Sequence, residues 1–164
     1  MSRHTRKKTN ACMGVAVFKE NGIQGEVVLS DRKQGVYLVA VFTKLPPGPH
    51  GFHIHKAGDL RGEGCMGLCE HYDIGHHCHG GPPTSKKERH TGDLGNIAMK
   101  TGAHRIRKTY YIKGASVKDL LGRSIIVHEG EDDLGQGGFE DSKITGHSGK
   151  RVGCAIIGRT FQKK

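Results

Sequence analysis

The sequence predicts an all-β fold: an eight-stranded Greek-key β-sandwich or barrel carrying two long functional loops. Three observations lead there. Short β-branched and aromatic runs recur at a spacing of roughly 8–12 residues, each bounded by turn residues. Glycine makes up 26 of the 164 residues, more than twice the usual share of about 7%, and without collagen periodicity that excess belongs to turns and close backbone approaches. Two stretches, 56–91 and 129–150, carry almost no apolar periodicity, and loops of that length inside a domain are expected to be functional.

In chain order, residues 1–13 read as a basic extension and residues 14–164 as a single domain. Val15–Phe18 is the first strand, and Glu20-Asn21-Gly22 is a hairpin signal between β-branched runs. Gly25–Ser30 and Val36–Phe42 follow as the second and third strands. Leu45-Pro46-Pro47-Gly48-Pro49 ends pairing, because proline has no donor for a ladder. His50–His55 is extended again, with His53 and His55 two apart and so on one face. Gly92–Lys100 and Ile106–Ile112 form a further pair, Ala115–Leu121 is a helical turn, and Ser124–His128 is a strand ending in histidine. Val152–Phe161 closes the chain as the eighth strand.

The formal charge is +10, and Arg3, Arg6, Lys7, Lys8, Lys163 and Lys164 supply six of those ten charges from the two ends. The N-terminus therefore predicts weak, non-specific contact with polyanions, without any nucleic-acid-binding motif beside it. MSRHTRKKTNACMG lacks the apolar core of a signal peptide, and no apolar run is long enough to span a membrane. The expectation is a cytoplasmic protein with no membrane contact.

The chemistry is concentrated between His50 and Asp93, where eight of the twelve histidines and three of the five cysteines fall. Neutral imidazole is the commonest nitrogen ligand for zinc and copper. A single histidine is weak evidence, but His53-x-His55, His71, His79, His90 with Asp93 three residues on, and His128 at a strand end form a set. Taken together they point to a metal centre.

The ordered motifs HGFHIHKAGD (50–59), HGGP (79–82), ERHTGDLGN (88–96), IIVHEGEDDLGQGG (125–138) and GKRVGCAIIG (149–158) resemble those of the copper/zinc superoxide dismutases over residues 14–160. The resemblance implies one copper ion per chain, held by His53, His55, His71 and His128. It also implies one zinc ion, held by His71, His79, His90 and Asp93, with His71 bridging the two metals. The implied reaction is dismutation of superoxide to dioxygen and hydrogen peroxide, an antioxidant activity. His71 would be the proton carrier and Arg151 the guanidinium that draws in the anion. Asp132 would orient His53 and His79, Thr145 would line the channel mouth, and His50 would stand beside the site. A Cys65–Cys154 disulfide and a homodimer also follow from the resemblance. The alternative it leaves is a dismutase-like copper chaperone or a metal-sequestering decoy without catalysis.

The chain also departs from the family. The loop between His79 and His90 is two residues longer than in animal members and holds Cys69, His76, His77 and Cys78 nearby. His76 or His77 could take the place of His79, and Cys65-x3-Cys69 with Cys78-His79 could form a thiolate zinc finger, which would leave His53, His55 and His128 without a role. Ile144 occupies the place of a guiding lysine, with Lys143 one residue away. Ala57 and Arg159 replace larger apolar residues at the family's dimer contact, and Val152 stands where a proline would tie copper loading to a dedicated chaperone.

Overall fold

A computed structural model describes residues 13–160, apart from residues 21, 84 and 86. The expected extension over 1–13 lies outside them except for Met13, the first residue of strand β1 (Met13–Phe18). Strands β2 (Gln24–Arg32), β3 (Gly35–Lys44), β4 (Pro49–His55), β5 (Asp93–Ala98), β6 (Ile106–Lys113) and β7 (Ser124–His128) follow the predicted order, with ends shifted by a few residues. Pro49 opens β4, the position where a strand tolerates a residue without an N–H.

The expected eighth strand is broken in two. Residues Arg151–Ile156 form β8, and after Ile157 the pair Gly158–Arg159 forms a ninth strand, β9. Strand β8 pairs with β7, whereas β9 crosses to pair with β1. The apolar run hid this break, because Ile157 stays buried while the backbone changes sheets. The helical turn expected at 115–121 is α1 (Val117–Leu120), closed by a capping box between Ser116 and Asp119. A second short helix, α2 (Ser142–Thr145), and a 3-10 turn, Gly64–Gly67, lie inside the two long loops, where the sequence gave no periodic signal.

The strands form two antiparallel sheets, ordered β6-β3-β2-β1-β9 and β5-β4-β7-β8. The fold is therefore the expected all-β sandwich. Alternate residues of β1, β2 and β3 point inward, as in the pattern Val27, Leu29 and then Val36, Leu38, Ala40, Phe42, all fully buried. A chain of rings crosses the core, with Phe18–Phe42, Phe42–Phe52 and Phe52–Tyr110 centroids 5.2, 6.0 and 5.8 Å apart. The long loop after β4 is folded back on its own strand: Tyr72 N–H donates to Ile54 O at 2.7 Å, and Lys56 N–H donates to Glu70 O at 2.9 Å. Cys65 and Cys154 form a disulfide with Cα atoms 5.7 Å apart, fastening the loop to β8.

Candidate metal centre

His53 and His55 project from one face of β4, and His128 ends β7, the strand hydrogen-bonded beside it. A bridge between His55 and His71 brings the loop histidine alongside. Ligand atoms of His53, His55, His71 and His128 all lie within 4.8 Å of one another, and all four side chains are buried. Two neighbouring strands and one pinned loop are enough to gather four imidazoles.

Each ring is held by one nitrogen, which leaves the other bare. His53 Nε2 sits 2.8 Å from Asp132 Oδ2, His55 Nδ1 lies 2.9 Å from Cys69 O, and His128 Nδ1 lies 3.1 Å from Gly149 O. An N–H donated to an oxygen fixes the tautomer and turns the opposite lone pair inward. The opposite atoms, His53 Nδ1, His55 Nε2, His71 Nε2 and His128 Nε2, are buried without a partner. Unpaired buried acceptors are costly unless something else engages them, and a metal ion does so. Burial and neighbouring rings hold His53 and His55 well below the usual imidazole range, and burial takes His128 down to about 4. Neutral imidazole is the form that binds a metal.

A second cluster surrounds Asp93, the first residue of β5. Nδ1 atoms of His71, His79 and His90 lie 2.9, 3.0 and 3.3 Å from the same oxygen, Asp93 Oδ1. Ligands sharing one tetrahedral ion with bonds of about 2.0–2.1 Å are separated by about 3.3 Å, so the three nitrogens stand at almost that spacing from the carboxylate oxygen. His79 Nδ1 stands close to Asp93 Oδ1 without hydrogen-bond geometry, placed to serve as a zinc donor once it is deprotonated. The tightest grouping of donor atoms places His53 rather than His90 beside His71, His79 and Asp93. His53 already gives Nε2 to Asp132 and turns Nδ1 toward the first cluster, so His90 is the better fourth donor here. His71 takes part in both clusters, through Nε2 on one side and Nδ1 on the other.

Asp132 ties the clusters together. Its Oδ2 meets His53 and its Oδ1 meets His79 Nε2, both at 2.8 Å. Asn96 clamps the Asp132 backbone from both ends, donating to its carbonyl at 2.8 Å and accepting from its N–H at 2.7 Å. Sequence reasoning missed Asn96 as a supporting residue, although it closes the motif ERHTGDLGN. Gly146, at φ +70°, passes so close that a Cβ there would collide with Asp132 Oδ1 and His79 Nε2.

Arg151, the first residue of β8, donates to the carbonyls of Cys65, Met66 and Cys69. Since the Cys69 carbonyl also holds His55, the guanidinium and the first cluster share an anchor. Thr145 is half-buried in α2 and donates to Asp141 Oδ2 at 3.1 Å. His50 places Nδ1 2.8 Å from His128 O and Nε2 3.1 Å from Pro46 O, bracing the end of β7 and outside both clusters. Of the three candidates in the longer loop, His79 is buried against Asp93, while His76 and His77 are exposed and His77 pairs with Asp73. Cys69 and Cys78 are exposed free thiols, and Cys65 is in the disulfide, so the thiolate finger does not form.

Comparisons with known proteins agree with this geometry. The family model described as copper/zinc superoxide dismutase matches residues 23–157. The mouse protein named copper chaperone for superoxide dismutase is 41% identical over 155 residues, covering 92% of this chain and 54% of that protein. A copper-zinc superoxide dismutase of Paramecium bursaria Chlorella virus 1 is also 41% identical over 155 residues, covering 92% of this chain and 80% of that one. The chain thus spans about half the length of the mouse relative and most of the viral one. The crystal structure of the clock protein EA4 superimposes with a TM-score of 0.82 at 32% identity, covering 95% of this chain and 99% of that one. The strand order, the two histidine clusters sharing His71 and these matches together place the chain in the copper/zinc superoxide dismutase family.

Proposed function

We propose that this protein dismutates superoxide to dioxygen and hydrogen peroxide at a bridged copper–zinc site, with one ion of each kind per chain. The observation that carries the reading is the set of bare, buried nitrogens: His53 Nδ1, His55 Nε2, His71 Nε2 and His128 Nε2 converge with their other nitrogens held. Four nitrogens suit Cu(II), and three imidazoles with one carboxylate suit a closed zinc site. Copper, when bound, supplies the one-electron couple that the reaction needs, while zinc has no redox chemistry.

The remaining work falls to the chain's own residues. Arg151 presents a cation held by three carbonyls, which can receive an oxygen anion without rearranging. His71 would carry a proton at Nε2 and give it to the reduced oxygen, while its Nδ1 would be one of the four donors that hold zinc. Asp132 keeps His53 and His79 in register through both half-reactions. Thr145 stands at the mouth of the approach, and a homodimer in the cytoplasm is the assembly and place this reading takes. Residues 14–164 act as its single domain.

A second reading is a copper chaperone, favoured by the match to the mouse chaperone. Retention of the whole donor set together with Arg151 supports catalysis instead. Chain loaded with copper and zinc should be mixed with a metal-free dismutase acceptor, following copper in each by visible absorption and separation. Under the enzyme reading copper stays in this chain, and superoxide decays before any acceptor is added. Copper transfer with no faster superoxide decay would support the chaperone.

A further inference from the structure

The outward face of the five-stranded sheet belongs to the sheet that carries none of His53, His55 and His128. Antiparallel sheets usually turn polar side chains outward, and this one sets aromatic rings and valines among them. Register sets Tyr37 of β3 opposite Tyr111 of β6, and on the same face Thr109, Val39, Val28 and Val15 line up across four strands. Tyr111 is 41% exposed and Tyr37 half-buried. A Cβ on Gly35 would come within 2.9 Å of Cζ and Oη of Tyr111, so that ring lies across the glycine. Its hydroxyl donates to Lys33 O at 2.7 Å, which fixes it there with its far side toward solvent.

Cations flank the rings. Arg32 and Lys113 each pair with Gly35 from opposite sides, and the Arg32 guanidinium stands 5.7 Å from the centre of the Tyr37 ring. Arg107 lies toward the other end of β6, six residues or about 20 Å from Lys113. Residues 105–113 hold Arg105, Arg107, Lys108 and Lys113 with no acid; Glu26 shares the face, and Asp31 and Asp119 line the hollow beside Arg32 and Lys113, where Asp31 is engaged by Val117 N–H and Asp119 by Ser116. Two flat rings on neighbouring strands, framed by cations, match what single-stranded nucleic acids require: surfaces for base stacking and positive charge for phosphates. A second copy would bring cations against cations. A bilayer would need protruding apolar side chains, whereas these valines are half-buried in the pleat.

We propose that this face binds single-stranded polynucleotide, with bases stacked on Tyr111 and Tyr37 and phosphates drawn to Arg32, Lys113 and Arg107. The contacts touch ring faces and phosphates, so the site tolerates sequence and accepts DNA and RNA alike. The test uses the full chain with fluorescein-labelled dT and U 12-mers, read by anisotropy at low salt. Both strands should bind and weaken as salt rises. Tyrosine fluorescence should be quenched, since the chain has no tryptophan and Tyr72 and Tyr110 are buried.

Tyr111→Ala should weaken binding about tenfold while Tyr111→Phe keeps it, because stacking needs the ring and not the hydroxyl. Arg107→Glu with Lys113→Glu, both exposed, should lower the slope of log affinity against log salt by about 1.4. Binding that all these variants leave unchanged would assign the affinity to the basic N-terminus and overturn the proposal. So would binding to phosphatidylserine vesicles with none to either oligonucleotide. If Tyr111→Ala fails to fold, the charge variants and the quenching decide the matter.

Discussion

His79 differs from the other clustered histidines in the charge around it. Burial alone would lower its pKa, but carboxylates at both nitrogens, Asp132 and Asp93, lift it to about 9. Burial takes His128 down to about 4, with no carboxylate in contact among the described residues. The sign follows directly. Below pH 9 the metal-free chain holds a proton on His79 that zinc must expel, and at pH 7 His128 is already neutral. Zinc affinity, measured by competition with a chelator, should therefore rise about tenfold per pH unit from pH 7 toward 9 and then level off, as expected for one displaced proton. Zinc affinity that is flat over this range would contradict the role of His79. At this scale the proposed ligands were legible because histidine and aspartate declare their chemistry by type and spacing. The choice of His79 over His76 and His77 was not, because it depends on burial against a β5 residue, a contact that no local pattern encodes. Asn96 stayed hidden for the same reason, since its partner Asp132 is 36 residues away.

The elements divide into strands that gather donors and loops that carry them. Strand β4 is legible because alternation with period two separates Phe52 and Ile54 from His53 and His55. Loop 56–92 has no period of its own, and its path is set by long-range ties: the Cys65–Cys154 disulfide, the Ile54–Tyr72 bond and the Arg151 hydrogen bonds to three carbonyls. Those ties explain why the 3-10 turn at Gly64–Gly67 escaped sequence reasoning, while the end of β8 did so because β9 crosses to pair with β1. The disulfide closes a loop of 89 residues, worth about 4–5 kcal/mol in the chain-entropy account. Cys65→Ser should lower the melting temperature by about 10–20 °C in a chain of this size. It should also slow superoxide consumption, because Arg151 is anchored on the same turn. A melting temperature unchanged by the substitution would show that the loop is held without the bond.

For the whole molecule, the excess of positive charge bears on the proposed substrate, which is an anion. Under the proposed reaction Arg151 and exposed Lys150 would draw the anion in, and Lys143 in α2 is exposed one residue before Ile144. Attraction of this kind is screened over about 8 Å at physiological salt, so catalysis should slow as ionic strength rises. Arg151→Ala should reduce the rate and flatten its dependence on salt, and a variant that keeps the full salt response would move the steering elsewhere. The two-sheet fold was readable from strand spacing and glycine content. The division of labour between the sheets was not, since the register that aligns Tyr37 with Tyr111 and Arg32 with Lys113 exists only once β2, β3 and β6 are paired.

The central claim is catalysis at the joined clusters, and it is tested by following superoxide absorbance after mixing with chain carrying one copper and one zinc. Decay of many equivalents of superoxide per chain, with hydrogen peroxide formed at half the superoxide consumed, is the expected result. Decay no faster than in protein-free buffer, with both metals bound, would contradict it.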